Sequence, residues 1–294
     1  MHQPKIKTIF LGTPRFAEIV LEILADSLYR PILVITEPDK PVGRAQTLTA
    51  PPVKLAALRL GIPVVQPTNH HELAEILRSI NPDIGLVAAY GRILKPEVLA
   101  IPENGFLNVH ASLLPKYRGA SPIQSAILQR ETETGVTIME IDEGLDTGRI
   151  ISWAPTQISP DETTPTLTEK LAELGGTLLI ETIAGYLDGT MLARSQNDAD
   201  ATKTALLSRD SGQLTGNEST AEIEAMARAF EPWPGIWIMI NDVRIILRKV
   251  QVIAGTLELR EVQLAGKNPV SWQTFRRDRP ELAKKIQDFL HLTD

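Results

Sequence analysis

The sequence predicts a doubly wound, mainly parallel α/β sheet followed by a smaller β-rich domain, and three observations predict it. Strand and helix signals alternate from residue 5 to residue 187, the pattern of strands joined by crossover helices. Within that alternation Ile84-Gly-Leu-Val-Ala-Ala-Tyr90 is a continuous apolar run, as a strand covered on both faces requires. Beyond an aperiodic polar stretch, the rest of the chain carries short strand signals separated by turn residues. The division expected is a first domain over residues 1–189, a linker over 190–206 and a second domain over 207–294.

The elements follow in order. Lys5-Ile-Lys-Thr-Ile-Phe-Leu11 is a strand closing on Gly12-Thr-Pro14, and Phe16, Ile19, Val20, Ile23 and Leu24 recur at helical spacing over 15–25. Pro31-Ile-Leu-Val-Ile-Thr36 is the second strand. The first turn holds one glycine where a dinucleotide fingerprint needs three, so the sheet is Rossmann-like in architecture without that cofactor's signature. Helical spacing returns at 53–60 and 73–80, on either side of the short strand Pro63-Val-Val-Gln66. After the 84–90 strand come a strand at 105–110, a helix over 121–129 opened by Pro122, strands at 135–140 and 149–153, and an amphipathic helix over 166–187 interrupted at Gly175-Gly176. From 188 to 204 periodicity dissolves into small and polar residues, a linker by composition. A helix over 220–230 and strands over 235–240, 243–252 and 256–262, with turns at Asn241-Asp242 and Ala254-Gly255, make up the tail. That set suits a small barrel resembling an oligonucleotide-binding fold.

Composition narrows the function. A chain of 294 residues, 43% hydrophobic and 22% charged, has the make-up of an ordinary globular protein with room for two domains. It has no cysteine, hence no disulfide framework, thiolate nucleophile or cysteine-based zinc site. No apolar run approaches the length of a membrane span, and a cytoplasmic monomer is expected. The five histidines include no pair at liganding separation, His70 and His71 being adjacent, so no metal is expected. The net charge of −6 argues against wholesale coating of nucleic acid. Residues 207–294 hold twelve basic and twelve acidic side chains, so the excess acid lies in 1–206. The tail keeps clusters at Arg244, Arg248 and Lys249 and at Arg276, Arg277, Arg279, Lys284 and Lys285, which read equally as solvated surface and as a local basic face.

Asn108-Val-His-Ala-Ser-Leu-Leu-Pro-Lys-Tyr-Arg-Gly119 carries the most chemistry. Asn108 and His110 stand two apart at the end of a strand and so face the same side. An amide donor stabilises a developing oxyanion, and an imidazole removes and returns protons near neutral pH; together they suit acyl transfer. The turn-rich segment Glu140-Ile-Asp-Glu-Gly-Leu-Asp-Thr-Gly148 can deliver a carboxylate, Asp146, to the imidazole. Each piece also has a structural reading: an Asn-x-His at a strand end is often scaffold, and Asp142 and Asp146, among Gly144 and Gly148, are also turn formers. The Ser112-Leu-Leu-Pro115 run and the acidic loop, taken together, favour chemistry. Ser112 lacks the strained Gly-x-Ser-x-Gly setting of a nucleophile. Ligands of open α/β sheets bind outside the carboxyl ends of the strands at the switch in strand order, which would gather Ala89, Tyr90, Gly91, Asn108, His110 and Asp146 around one crevice. The stretch 38–52 is proline-bounded and short of apolar anchors, as a mobile substrate-binding loop should be.

Asn108-Val-His110, Ser112-Leu-Leu-Pro115, Tyr117-Arg-Gly119, Pro122-Ile-Gln124 and Asp142-Glu-Gly-Leu-Asp-Thr-Gly148 resemble the folate-dependent formyltransferases. Phe10-Leu-Gly-Thr-Pro14, Thr36-Glu-Pro-Asp-Lys-Pro-Val-Gly-Arg44, Pro52-Val-Lys54 and Arg228-Ala-Phe-Glu-Pro-Trp-Pro-Gly235 make the chain most similar to the members that act on methionyl-initiator tRNA, over most of residues 5–240. The resemblance implies an enzyme that moves a formyl group from the co-substrate 10-formyltetrahydrofolate to the α-amino group of initiator Met-tRNA. Asn108 is then the oxyanion donor, and His110 with Asp146 transfers protons. It also implies folate contacts at Ser112, Leu113, Leu114, Pro115, Ala89, Tyr90, Gly91, Arg92 and Gly144, tRNA contacts at Gly43 and Arg44, and a tRNA-binding second domain. The chain departs from the family where Ala45-Gln-Thr-Leu48 lacks the lysines that often follow the arginine, in the divergent segment 205–214, and in a shortened second domain. These departures bear on the tRNA contacts and leave the formyl chemistry intact. The alternatives are an amino-sugar nucleotide as acceptor, or a non-catalytic folate- or tRNA-binding relative.

Overall fold

The computed structural model of the chain describes residues 6–43 and 45–292. Two compact units emerge, the first made of residues 1–122, 133–157 and 168–204 and the second of 123–132, 158–167 and 205–294.

In the first unit seven strands lie side by side in the order Ile150–Gln157, Glu133–Glu140, Phe106–His110, Ile84–Ala88, Thr8–Gly12, Leu33–Ile35 and Val64–Val65. The last five run parallel; Glu133–Glu140 runs against Phe106–His110, and Ile150–Gln157 against Glu133–Glu140. The chain leaves Thr8–Gly12 toward one edge and returns to its other side at Ile84–Ala88, so the strand order switches between these two. Both are buried at every position, which is why their sequences are continuous rather than alternating. On one face Ile9, Leu11, Ile35 and Val87 pack in a cluster with Leu73 and Leu77 of the helix His70–Ile80. Each such leucine contributes about 1.5–3 kcal/mol by leaving water. That helix begins at Asn69, whose side chain accepts the Glu72 N–H, and ends at Asn81 in the left-handed conformation.

The helix Thr164–Leu187 runs without the interruption that Gly175-Gly176 suggests. The glycines are close-approach points: a Cβ on Gly175 would lie 2.6 Å from Val109 Cγ1, and one on Gly176 2.8 Å from Ile23 Cδ1. Val109 alternates with Asn108 and His110 along its strand, so the helix lies against the face opposite to theirs.

Two stretches differ from their sequence reading. Residues 190–204, expected as linker, are tied down: Arg194 and Ile150 exchange backbone hydrogen bonds of 2.8 and 2.7 Å, and Lys203–Thr204 pair in parallel with Arg118–Gly119. These ties are made by backbone and polar groups, which leave no hydrophobic period in a sequence. Within 38–52, Lys40–Val42 and Thr47–Thr49 form an exposed antiparallel hairpin in place of an open loop. Gly43 lies in its turn at φ 72, and Arg44 lies outside the described residues.

The second unit holds a four-stranded antiparallel sheet in chain order, Ile236–Ile240, Val243–Ile253, Thr256–Leu264 and Val270–Ser271. Its first two turns place Asn241 and Asp242 at φ 49 and 60, and Ala254 and Gly255 at φ 49 and 81, the paired positive values that two-residue hairpins need. The helix Thr220–Ala229 starts in a capping box of Ser219 and Glu222. Helices Trp272–Asp278 and Pro280–Phe289 close the chain. Among the described residues no helix is long and apolar enough to cross a membrane.

Candidate active site

The carboxyl end of Phe106–His110 lies between Ile84–Ala88 and Glu133–Glu140, with Asn108 opposite Val87 on one side and Met139 on the other. Asn108 is half-buried and His110 buried. The imidazole Nε2 stands 3.0 Å from the carbonyl oxygen of Tyr117. A carbonyl only accepts, so Nε2 carries the hydrogen and, in the neutral ring, Nδ1 presents its lone pair. The ring is therefore oriented by main chain, where the sequence suggests Asp146 for that task.

Asp146 occupies the other side of the ring. Its Oδ1 is 3.6 Å from Nδ1, beyond direct hydrogen-bond length, while its Oδ2 accepts the Gly119 N–H at 2.8 Å. Asp146 adopts φ 55, which turns its side chain inward out of a loop that Asp142 braces. Asp142 Oδ1 accepts from the Gly144 N–H at 3.0 Å and from the Thr147 hydroxyl at 2.7 Å. Of the two aspartates, Asp142 thus serves the turn and Asp146 faces the histidine. With side chains 6% and 15% exposed, Nδ1 and the carboxylate form a shielded pair of acceptors. Such a pair can take up protons shed by an attacking ammonium.

Tyr117 and Gly119, which hold the two partners, were not legible as site residues. Both act through backbone atoms, so the sequence marks them only through the Tyr117-Arg-Gly119 motif and the glycine itself. Gly119 sits at φ 116, and a Cβ there would lie 2.8 Å from both the carbonyl oxygen and the hydroxyl of Thr204.

The other expected contacts divide by exposure. Leu113 and Pro115 are half-buried and Leu114 is buried. Ser112 is fully buried, its hydroxyl donating to the Lys116 carbonyl at 2.6 Å, and Thr137 Oγ1 ties the same turn by donating to the Ser112 carbonyl and accepting the Leu114 N–H. Ser112 therefore shapes the turn that presents Leu113 and Pro115. Ala89 and Gly91 are exposed and have positive φ, 44 and 91, turning the backbone outward just past Ile84–Ala88. The Tyr90 side chain instead enters the core, its hydroxyl buried without a hydrogen-bond partner among the described residues, and burial pushes its ionisation up to about 12. Arg92 pairs with the Glu37 carboxylate and donates to the Pro67 carbonyl. Burial would raise the Glu37 carboxyl, but hydrogen bonds from Lys40 and Arg92 outweigh it and hold the group below the usual range. Gly144 is exposed at the tip of the acidic loop. No cluster of three or more potential metal-ligating side chains occurs among the described residues.

Comparison with known proteins bears on this arrangement. The family model "Formyl transferase" matches residues 5–183, and "Formyl transferase, C-terminal domain" matches residues 207–256. The sequence is 40% identical to a protein from Roseiflexus sp. (strain RS-1), 42% to one from Acidobacterium capsulatum and 45% to one from Chloroflexus aggregans, all named methionyl-tRNA formyltransferase. The alignments cover 92%, 92% and 90% of this chain and 92%, 96% and 95% of those proteins. Among solved structures, the methionyl-tRNA formyltransferase from Clostridium thermocellum superposes with a TM-score of 0.60 at 17% identity, over 88% of this chain and 98% of that one. An N-formyltransferase from Helicobacter canadensis, in complex with folinic acid and dTDP-3-aminofucose, gives 0.64 at 22% identity over 86% and 95%. At such identities these two likenesses speak to fold.

Proposed function

The chain belongs to the formyltransferase family, and on that premise we propose that it transfers the formyl group of 10-formyltetrahydrofolate to the α-amino group of initiator Met-tRNA. The acceptor follows from relatives at 40–45% identity that bear the name methionyl-tRNA formyltransferase along nearly their whole length. The observation that carries the chemistry is the facing pair of His110 Nδ1 and Asp146 Oδ1, 3.6 Å apart, beside Asn108.

In the reaction the amine nitrogen bonds to the formyl carbon, the carbonyl pair moves onto oxygen, and the carbon–nitrogen bond to the folate then breaks. Asn108 donates to the oxyanion, a type of contact worth roughly 10²–10³ in rate. His110 Nδ1 takes a proton from the attacking nitrogen and returns it to the leaving nitrogen. Asp146 stabilises the imidazolium in the interval, and the Tyr117 carbonyl keeps Nε2–H in place throughout. The folate fits the donor set at the strand ends: the half-buried Leu113 and Pro115 give an apolar wall, and the exposed backbone at Ala89, Gly91 and Gly144 offers polar groups for a ring edge. Gly43 in the turn of the exposed hairpin and the adjoining Arg44 of the sequence, with the exposed Arg276, Arg277, Arg279, Lys284 and Lys285 of residues 207–294, are assigned to tRNA phosphates. As a step in translation initiation the reaction belongs to the cytoplasm, carried out by a monomer.

Asn108→Ala, His110→Ala and Asp146→Asn should each lose formylation of Met-tRNA while folate binding, measured by equilibrium dialysis, is kept. Full turnover in any one of them would remove that residue from the mechanism. Arg44→Ala should raise the KM for tRNA and leave that for folate unchanged; the reverse would remove Arg44 from the acceptor site.

A further inference from the structure

Three successive residues hold three members of one constellation. The Tyr117 carbonyl accepts from His110, the Gly119 N–H donates to Asp146, and between them the Arg118 side chain reaches Gln196. From this we infer that Gln196, in the stretch whose composition reads as linker, is a positioning residue for Asp146. The inference rests on the reading of His110 and Asp146 given above.

Every polar site of the Gln196 amide is used. Its Nε2 donates to the carbonyl of Asp146 at 2.9 Å and to that of Gly148 at 2.8 Å. Its Oε1 accepts from Arg118 Nε at 3.0 Å and from the terminal nitrogen Nη2 at 2.8 Å. The orientation of the amide is fixed by its neighbours, because a guanidinium only donates and the two carbonyls only accept. The same terminal nitrogen of Arg118 donates to Asp198 at 2.8 Å, and the arginine side chain is 6% exposed. A buried guanidinium that finds its acceptors on residues 196 and 198 fixes that stretch firmly.

The loop needs an external hold. Asp146 sits at φ 55, in the left-handed region that a residue with a side chain disfavours, and the loop around it is exposed. One amide spanning the carbonyls of 146 and 148 clamps the peptide group that follows Asp146 and the one that follows Gly148, so residue 196 fixes the backbone from which the Asp146 side chain projects toward the Gly119 N–H. Gln196 touches no reacting atom; it works through the 3.6 Å gap between Asp146 and the imidazole.

Gln196→Leu removes all four hydrogen bonds. Gln196→Glu keeps the partner of Arg118 and the fold but turns a second acceptor toward the two carbonyls. The test measures kcat and KM for both substrates with the full chain carrying each substitution, alone and combined with Asp146→Asn. Both single variants should lower kcat by roughly 10- to 100-fold, the scale of an ångström-sized misplacement, with the KM for folate held. Combined with Asp146→Asn, either should add less than about a twofold further loss, because residues acting as one unit are not additive. Wild-type kcat in Gln196→Glu, or losses that multiply in the double variants, would overturn the inference while leaving Asp146 in the mechanism. Wild-type kcat in Asp146→Asn alone would overturn both readings together.

Discussion

Gly119→Ala offers the sharpest structural test. The residue lies at φ 116, and an added Cβ would stand 2.8 Å from both the carbonyl oxygen and the hydroxyl of Thr204. Holding an alanine in that backbone conformation costs about 1–3 kcal/mol, and forcing a methyl against fixed backbone adds about 1–3 kcal/mol more. The sum, about 2–6 kcal/mol, corresponds to a fall of at least about 4 °C in the melting temperature of the first unit. Gly61→Ala separates the two contributions: its φ is 66 and nothing lies within 4 Å of the added atom, so only backbone strain of about 1–2 kcal/mol remains. Thermal melts of the two variants by circular dichroism give the difference directly. Formylation should fall in Gly119→Ala alone, because its N–H anchors the Asp146 carboxylate at 2.8 Å. If Gly119→Ala melts no lower than Gly61→Ala and turns over at the wild-type rate, the close pairing of 118–119 with 203–204 has no energetic content.

Gly175→Ala gains about 1 kcal/mol of helix propensity but drives a methyl to 2.6 Å from Val109 and 3.2 Å from Val136, an overpacking that costs about 1–3 kcal/mol. The variant should be less stable in urea and slower in turnover, since Val109 sits between Asn108 and His110; a more stable, fully active variant would refute the packing role. Tyr90→Phe deletes a buried hydroxyl that has no partner among the described residues and should stabilise by about 1 kcal/mol. Burial raises the Tyr90 ionisation from 10.0 to about 12, so between these values the unfolded chain ionises at Tyr90 while the folded chain does not, and the wild type loses stability as pH rises from 10 through about 12. Urea denaturation across this range should show the variant losing less stability than the wild type, and parallel curves would contradict the sign.

The strand ends were readable because their signals are local. Continuous burial wrote the apolar run at Ile84–Ala88, and period-two alternation placed Asn108 and His110 on one side, away from Val109. Elements set by tertiary contact were not readable. Gly175-Gly176 reads as a helix break, yet its purpose lies in Val109 and Ile23, remote in sequence. The stretch 190–204 reads as linker because Arg194, Gln196 and Thr204 bind through polar atoms that leave no period. The orientation of His110 by the Tyr117 carbonyl has no side-chain signature at all, since any residue at 117 offers the same oxygen. Asp142 and Asp146 share one composition and one loop, and the backbone turn at Asp146 alone separates their roles.

The most direct measurement gives the purified full chain 10-formyltetrahydrofolate with initiator Met-tRNA and an amino-sugar nucleotide in the same reaction, and follows the formyl group. Formyl-Met-tRNA is expected, with no formylated sugar and with turnover abolished by His110→Ala. Formyl found solely on the sugar nucleotide, or on Met-tRNA at the wild-type rate without His110, would contradict the function and the mechanism respectively.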